Sequence, residues 1–150
     1  MMKYSPANVT SLASNEVFVY GANEAGIHGA GAAKAAMRWG AKYGKYGFCG
    51  QTYGIPTKDS NIETMALEKI KIYVDAFLIF ATEHPELVFL VTPIGCGLAG
   101  YSAKDIAPMF RRALNIENVV LPEEFFKPKP QRAARYDLRK DYEQDKRFDE

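Results

Sequence analysis

The chain of 150 residues has little cysteine: Cys49 and Cys96 are the whole complement. That scarcity excludes a disulfide framework and a CxxC metal pair. Two free thiols in a reducing compartment are expected instead. The opening "MMKYSPANVT" lacks the apolar core of a secretory signal. No apolar run approaches the roughly 20 residues of a membrane span. Charge of one sign is lacking too, since 19 basic and 18 acidic residues leave a net charge of +1. This excludes the overall basic excess of a general nucleic-acid binder, but not a site for a single nucleotide. No internal repeat is visible. The expectation is a soluble, cytoplasmic protein with no membrane partner.

Apolar residues are plentiful. A hydrophobic content of 47%, with 13% aromatic, is that of a globular chain with enough length for one sizeable core. "VFVY" at 17–20 reads as a buried strand. "AGAAKAAMRW" at 30–39 reads as a helix, alanine being the best helix former. "KYGKYGFCGQTYG" reads as an extended Gly- and Tyr-rich loop leading into a strand near 51–56. Ser60 and Glu63 match a capping box. Behind them Ile62, Ala66, Ile70, Tyr73, Phe77 and Ala81 recur at helical spacing, and Pro85 marks the stop. "LVFLVTPIG" is the continuous apolar run of a strand buried on both faces. Ser102 and Asp105 suggest another capped helix, with Ile106, Phe110 and Ala113 or Leu114 facing inward. "NVVLP" reads as the last strand.

Strands alternating with helices imply an α/β fold with a mostly parallel central sheet. The expected domain covers residues 1–122. Residues 123–150 are rich in both charges and read as a C-terminal extension, either a solvated tail or a segment that mediates oligomerisation.

Ligands of such folds sit at the carboxyl ends of the strands. Three segments fall there. "GANEAGIHGAG" carries Gly26, Gly29 and Gly31 as GxxGxG, which departs from the dinucleotide fingerprint GxGxxG. Alone it fits a phosphate-binding loop and a tight strand-to-helix turn equally. "IGCGLAGY" supplies Gly95, Gly97 and Gly100. Two glycine loops at neighbouring strand ends can cradle a diphosphate through backbone amides. "YGIPTKDSN" places Thr57, Lys58 and Asp59 beside them. A lysine there is either a solvated loop cation or a nucleophile and counter-charge.

In order, "ANVTSLASNEVFVYGANEAGIHGAGAAKAA", "IPTKD" and "TPIGCGLAGY" resemble the macro domain family. The likeness spans about residues 7–121. It is nearest to the branch of DNA ADP-ribosyl glycohydrolase antitoxins and terminal ADP-ribose glycohydrolases. The resemblance implies a three-layer α/β/α fold with a mixed, mostly parallel sheet. It implies binding of ADP-ribose or of an ADP-ribosylated DNA or protein, and no cofactor. Asn8 falls where the family usually has an aspartate that accepts from the adenine amino group; a turn residue is the alternative. Val9 adjoins it. Asn23 matches the asparagine that contacts the distal ribose, with a turn-capping role as the alternative. Gly29, Ala30 and Gly31 would line the diphosphate from one side. Gly95, Cys96, Gly97, Leu98 and Ala99 would close from the other. Thr57 lies next to Lys58, which matches the lysine implicated in catalysis. One position departs from part of that branch: where an aspartate partners the lysine, this chain has Ala99. His28, within the first loop, is either a substitute acid or base or a loop histidine touching solvent or ribose.

Overall fold

A computed structural model describes residues 3–127. Five strands form one sheet: β1 (Glu16–Asn23), β2 (Gly47–Cys49), β3 (Thr52–Lys58), β4 (Val88–Val91) and β5 (Val119–Val120). Their order across the sheet is β2-β3-β1-β4-β5. β1 pairs in parallel with β3 and β4, and β4 with β5, while β2 is antiparallel to β3. The α/β class and the mixed, mostly parallel sheet expected from the sequence are therefore present.

Side chains alternate across β1 and sort the core into two. Val17 and Val19 face one layer with Phe77, Phe89, Ile106 and Phe110. Phe18, Tyr20 and Ala22 face the other with Ala33 and Ala36. Period-two alternation of a central strand produces this division. Helix α1 (Gly31–Ala36) covers the second face and runs on into a 3-10 turn, Met37–Trp39, ended by left-handed Gly40. Helices α2 (Leu67–Thr82) and α3 (Ala103–Ile106) cover the first.

Three local expectations are corrected. The Gly- and Tyr-rich segment holds a short strand, β2, hydrogen-bonded to β3. Ser60 and Glu63 do not cap a helix. The Asp59 carboxylate takes the amides of Asn61 and Glu63 at 2.8 and 3.0 Å, and Thr64 pairs back with Lys58 before the helix begins at Leu67. An aspartate that bonds its own following amides stabilises a turn in competition with a helix. The buried face of α2 is accordingly Ile70, Val74, Phe77, Leu78 and Ala81, with Ile62 and Ala66 exposed and Tyr73 half-buried. By contrast, the Ser102–Asp105 capping box forms, the Asp105 carboxylate accepting the Ser102 amide at 3.1 Å. The choice between Ala113 and Leu114 falls to Ala113, Leu114 being exposed.

The core also continues past Pro122, because Phe125 is buried against Phe110, ring centroids 5.3 Å apart. The rest of the C-terminal extension, 128–150, lies outside the described residues.

Phe77 is fully buried and meets the rings of Tyr53, Phe89 and Phe110. Phe77→Ala should cost about 3–5 kcal/mol by transfer and cavity formation. Urea unfolding followed by circular dichroism measures it; a loss below about 1 kcal/mol would mean that this ring is not a central packing element.

Candidate functional site

The connection from β1 through α1 runs over one face of the sheet, and those through α2 and α3 over the other. β1 and β4 are neighbours, so the loops leaving their carboxyl ends diverge to opposite faces. The gap between them is the topological switch point, where open α/β sheets hold ligands. Both glycine loops stand at that gap.

Their approach is close. A Cβ built on Gly31 would lie 3.7 Å from Leu98 Cδ1, and one on Gly21 would lie 3.6 Å from both Gly95 N and Thr57 Oγ1. Gly29, Ala30, Gly31, Gly97 and Leu98 are exposed along the two rims. Among the described residues the amides of Gly29, Ala30, Gly31, Gly97, Leu98 and Ala99 donate to no protein acceptor. Unpaired amides around a concavity are the usual anion-binding arrangement.

Each loop is pinned from behind. Gly95 has φ +76°, and a Cβ there would stand 2.9 Å from Ile106 Cδ1. Only glycine fits that turn without strain. The second loop is tied to the segment between β3 and α2 by Thr64 Oγ1 donating to the Ala99 carbonyl at 3.0 Å and the Tyr101 hydroxyl donating to the Met65 carbonyl at 2.7 Å. In the first loop a Cβ on Gly26 would meet Lys45 N at 2.4 Å, so residues 44–45 lie directly on its backbone.

The expected site residues divide by side chain and backbone. Lys58 ends β3, and its Cα partner on β1 is Asn23, so these two stand side by side. Lys58 is half-buried, with its carbonyl accepting the Glu24 amide at 2.9 Å. Asn23 closes its own loop: its Oδ1 accepts the Ile27 amide and its Nδ2 donates to the Ile27 carbonyl, both at 2.9 Å. That is the turn-capping alternative, and it leaves one amide hydrogen for a ligand. Thr57 is buried with its hydroxyl 3.5 Å from the Ala22 carbonyl.

The His28 ring is withdrawn from the rim. Only 2% of the residue is exposed, and Nε2 is 2.9 Å from the Tyr20 hydroxyl. Its Nδ1 has no partner among the described residues. Burial, with a smaller effect from Cys49, pushes the Tyr20 phenol up to about 12. A ring so placed fixes the loop rather than lining the cleft, contrary to the expectation of a group touching solvent or ribose.

Cys96 is likewise a packing thiol. Burial first, then Glu124 and Asp105, raise it to about 11. Its Sγ donates to the Ile94 carbonyl at 3.4 Å. Both cysteines are free thiols.

At the far end, the Ser5 hydroxyl donates to the Val91 carbonyl at 2.6 Å and the Ser5 amide to Leu121 at 2.9 Å. This tether brings the N-terminal segment, with exposed Asn8, to the carboxyl ends of β4 and β5. Val9 packs on the α1-side core. From β5 to β3 there are three strand spacings, about 14 Å. The Ser5 tether and Lys58 therefore stand at opposite sides of the sheet's carboxyl edge.

One charged group escaped the sequence reading. Glu24, directly after Asn23, accepts hydrogen bonds from the Tyr73 hydroxyl and from Lys69 Nζ, the latter at 3.5 Å. The hydrogen bond to Glu24 raises the Tyr73 phenol above its ordinary value. A carboxylate inside a glycine loop was the available signal. Its orientation towards α2 was not legible. A concavity elsewhere, about 350 Å³ between α2 and residues 112–116, offers one cation, Arg112, already paired with Asp75 at 3.0 Å. It has no convergent polar set. Among the described residues no helix is long and apolar enough to cross a membrane.

No family model, curated protein or solved structure matches this chain.

Two expectations follow. Gly95→Ala should destabilise the fold by more than about 1 kcal/mol through its left-handed φ. Gly97→Ala, with open space at its Cβ, should stay within about 0.5 kcal/mol; equal losses in denaturant melts would remove the structural distinction between the two glycines. In a Cys49→Ser background, the reaction of Cys96 with a disulfide reagent should climb towards pH 11 rather than level off near 9.

Proposed function

We propose that the chain binds ADP-ribose, or an ADP-ribosyl group carried by a nucleic acid or protein, in the crevice between the two glycine loops, and hydrolyses the ADP-ribosyl linkage at the Lys58 end. The observation that carries this reading is the meeting of both loops, with unpaired amides on each rim, at the switch point between β1 and β4. A diphosphate there is held by amides and needs no cluster of lysines. In this reading the exposed Asn8, three residues after the Ser5 tether, takes the adenine, and Asn23 with Lys58 takes the distal ribose.

In this reading the Lys58 amine attacks the anomeric carbon or offsets charge that develops there. Attack by a neutral amine breaks the bond between the anomeric carbon and the leaving group and forms a bond to Nζ; water then releases the ribose and restores the amine. The leaving group must take up a proton. Position 99 is alanine and supplies none.

That position favours a second reading, a reader that holds ADP-ribose without turnover. The nearby carboxylates are already committed: Asp59 to amides of its turn, Glu24 to Tyr73 and Lys69.

Calorimetry with ADP-ribose is the first test. Gly29→Val and Gly97→Val place a side chain in open space, so both should keep the fold and lose binding. Failure of the unsubstituted chain to bind ADP-ribose or any adenine nucleotide would sink both readings. Incubation with ADP-ribosylated DNA and protein then separates them. Release that falls by about 10²-fold or more in Lys58→Ala, with binding retained, supports the hydrolase. Binding with no release from either substrate selects the reader.

A further inference from the structure

Helix α2 has two apolar faces. One packs into the core through Ile70, Val74, Phe77, Leu78 and Ala81. The other faces solvent. Lys69, Ile72, Ala76, Ile79 and Glu83 follow one another at steps of three, four, three and four, the a/d spacing of a helix–helix seam. All five are exposed, Ile72 by 66% and Ile79 by 53%. A surface helix of an isolated domain ordinarily carries polar residues on that side.

The apolar surface continues beyond the helix. Phe80, one turn after Ala76, meets the ring of Phe48 on the edge strand β2, with centroids 5.0 Å apart, and Phe48 is itself exposed. On the other flank Ile79 borders the concavity that Ile116 also lines. Contiguous exposed apolar surface rimmed by charge marks an interface.

The charges at the two ends of the seam identify the occupant. The seam begins with a cation, Lys69, and closes with an anion, Glu83. An antiparallel copy of the same helix sets Lys69 against Glu83 and Ile72 against Ile79, each pair twice over. Small Ala76 falls at the centre, where the two backbones can approach. A parallel copy would set Lys69 on Lys69 and Glu83 on Glu83. A two-fold interface must complement itself, and this seam does so in the antiparallel sense. Lys69 is able to turn towards it. Its contact with Glu24 is 3.4 Å long and half of its side chain is exposed, so that pair holds it weakly. Among the described residues Glu83 belongs to no ion pair.

We propose that this face docks a second copy of the chain, with α2 antiparallel on α2 across a two-fold axis at Ala76. Helix α2 joins the carboxyl end of β3 to the start of β4, so it runs from one edge of the sheet to the other. The pair therefore sets the two carboxyl edges, with their glycine loops, at opposite ends of the dimer. The inference goes beyond the ADP-ribose reading and stands whatever those loops bind.

The test is sedimentation equilibrium of the full chain in reducing buffer, from about 1 μM to 1 mM. The expected result is a monomer–dimer equilibrium. Ile72→Gln with Ile79→Gln should raise its dissociation constant by about tenfold or more. Glu83→Lys should weaken the dimer, and Lys69→Glu added to it should restore association. Crosslinking checks the register without relying on that rescue. In a Cys49→Ser, Cys96→Ser background, Ala76→Cys should oxidise to a covalent dimer, while Lys34→Cys on the opposite face should not. Circular dichroism confirms that each variant is folded. A chain that stays monomeric at every concentration overturns the inference, the outcome expected if residues 128–150 of the same chain were the occupant. A dimer indifferent to the paired isoleucine substitutions, or an Ala76→Cys variant that crosslinks no faster than Lys34→Cys, overturns it as well.

Discussion

A parallel strand cannot be followed by its neighbour without a crossover, and the crossovers here leave β1 and β4 towards opposite faces of the sheet. The loops at those two carboxyl ends therefore part towards opposite faces. Everything assigned to the site depends on this one topological fact. The glycines let backbone line the gap, and β3 brings Lys58 to its edge. The Ser5 tether carries the N-terminal segment to the other end.

The loops are exposed on the ligand side and rigid on the other. Gly95 turns over Ile106, Thr64 and Tyr101 tie the second loop to the entry of α2, and the His28 ring anchors the first loop in the core beside Tyr20. The last anchor leaves a buried Nδ1 without a partner among the described residues, a cost of about 1–3 kcal/mol if nothing compensates. It holds unpaired amides at fixed positions, and donors fixed in advance bind without an ordering penalty. Exposed rims over a pinned base are what a backbone-lined anion cradle needs.

Legibility in the sequence followed the range of the forces involved. The apolar runs at 17–20 and 88–91, the alanine-rich α1 and the Ser102–Asp105 box were readable because periodicity and capping act within a few residues. The start of α2 was misread because Asp59 and Ser60 offer competing local bonds. The pairing of Thr64 with Lys58, a contact across the turn, decided between them. β2 was missed because three residues rich in glycine and aromatics carry no alternation; only pairing with β3 makes them a strand. His28 was placed at the surface because a histidine among glycines looks solvated, and its burial depends on Tyr20 and Tyr43 arriving from other segments.

The sequence by itself determined the α/β class, the alternation of elements, the two glycine loops and the lysine between them. Those features are written in local pattern and in residue type. Only the tertiary structure decided which loops are neighbours and which side chains face inward. Strand order, the face chosen by each crossover and the partners of Asn23, Glu24 and His28 are set by contacts between residues far apart in the chain. No window of sequence contains both members of such a pair.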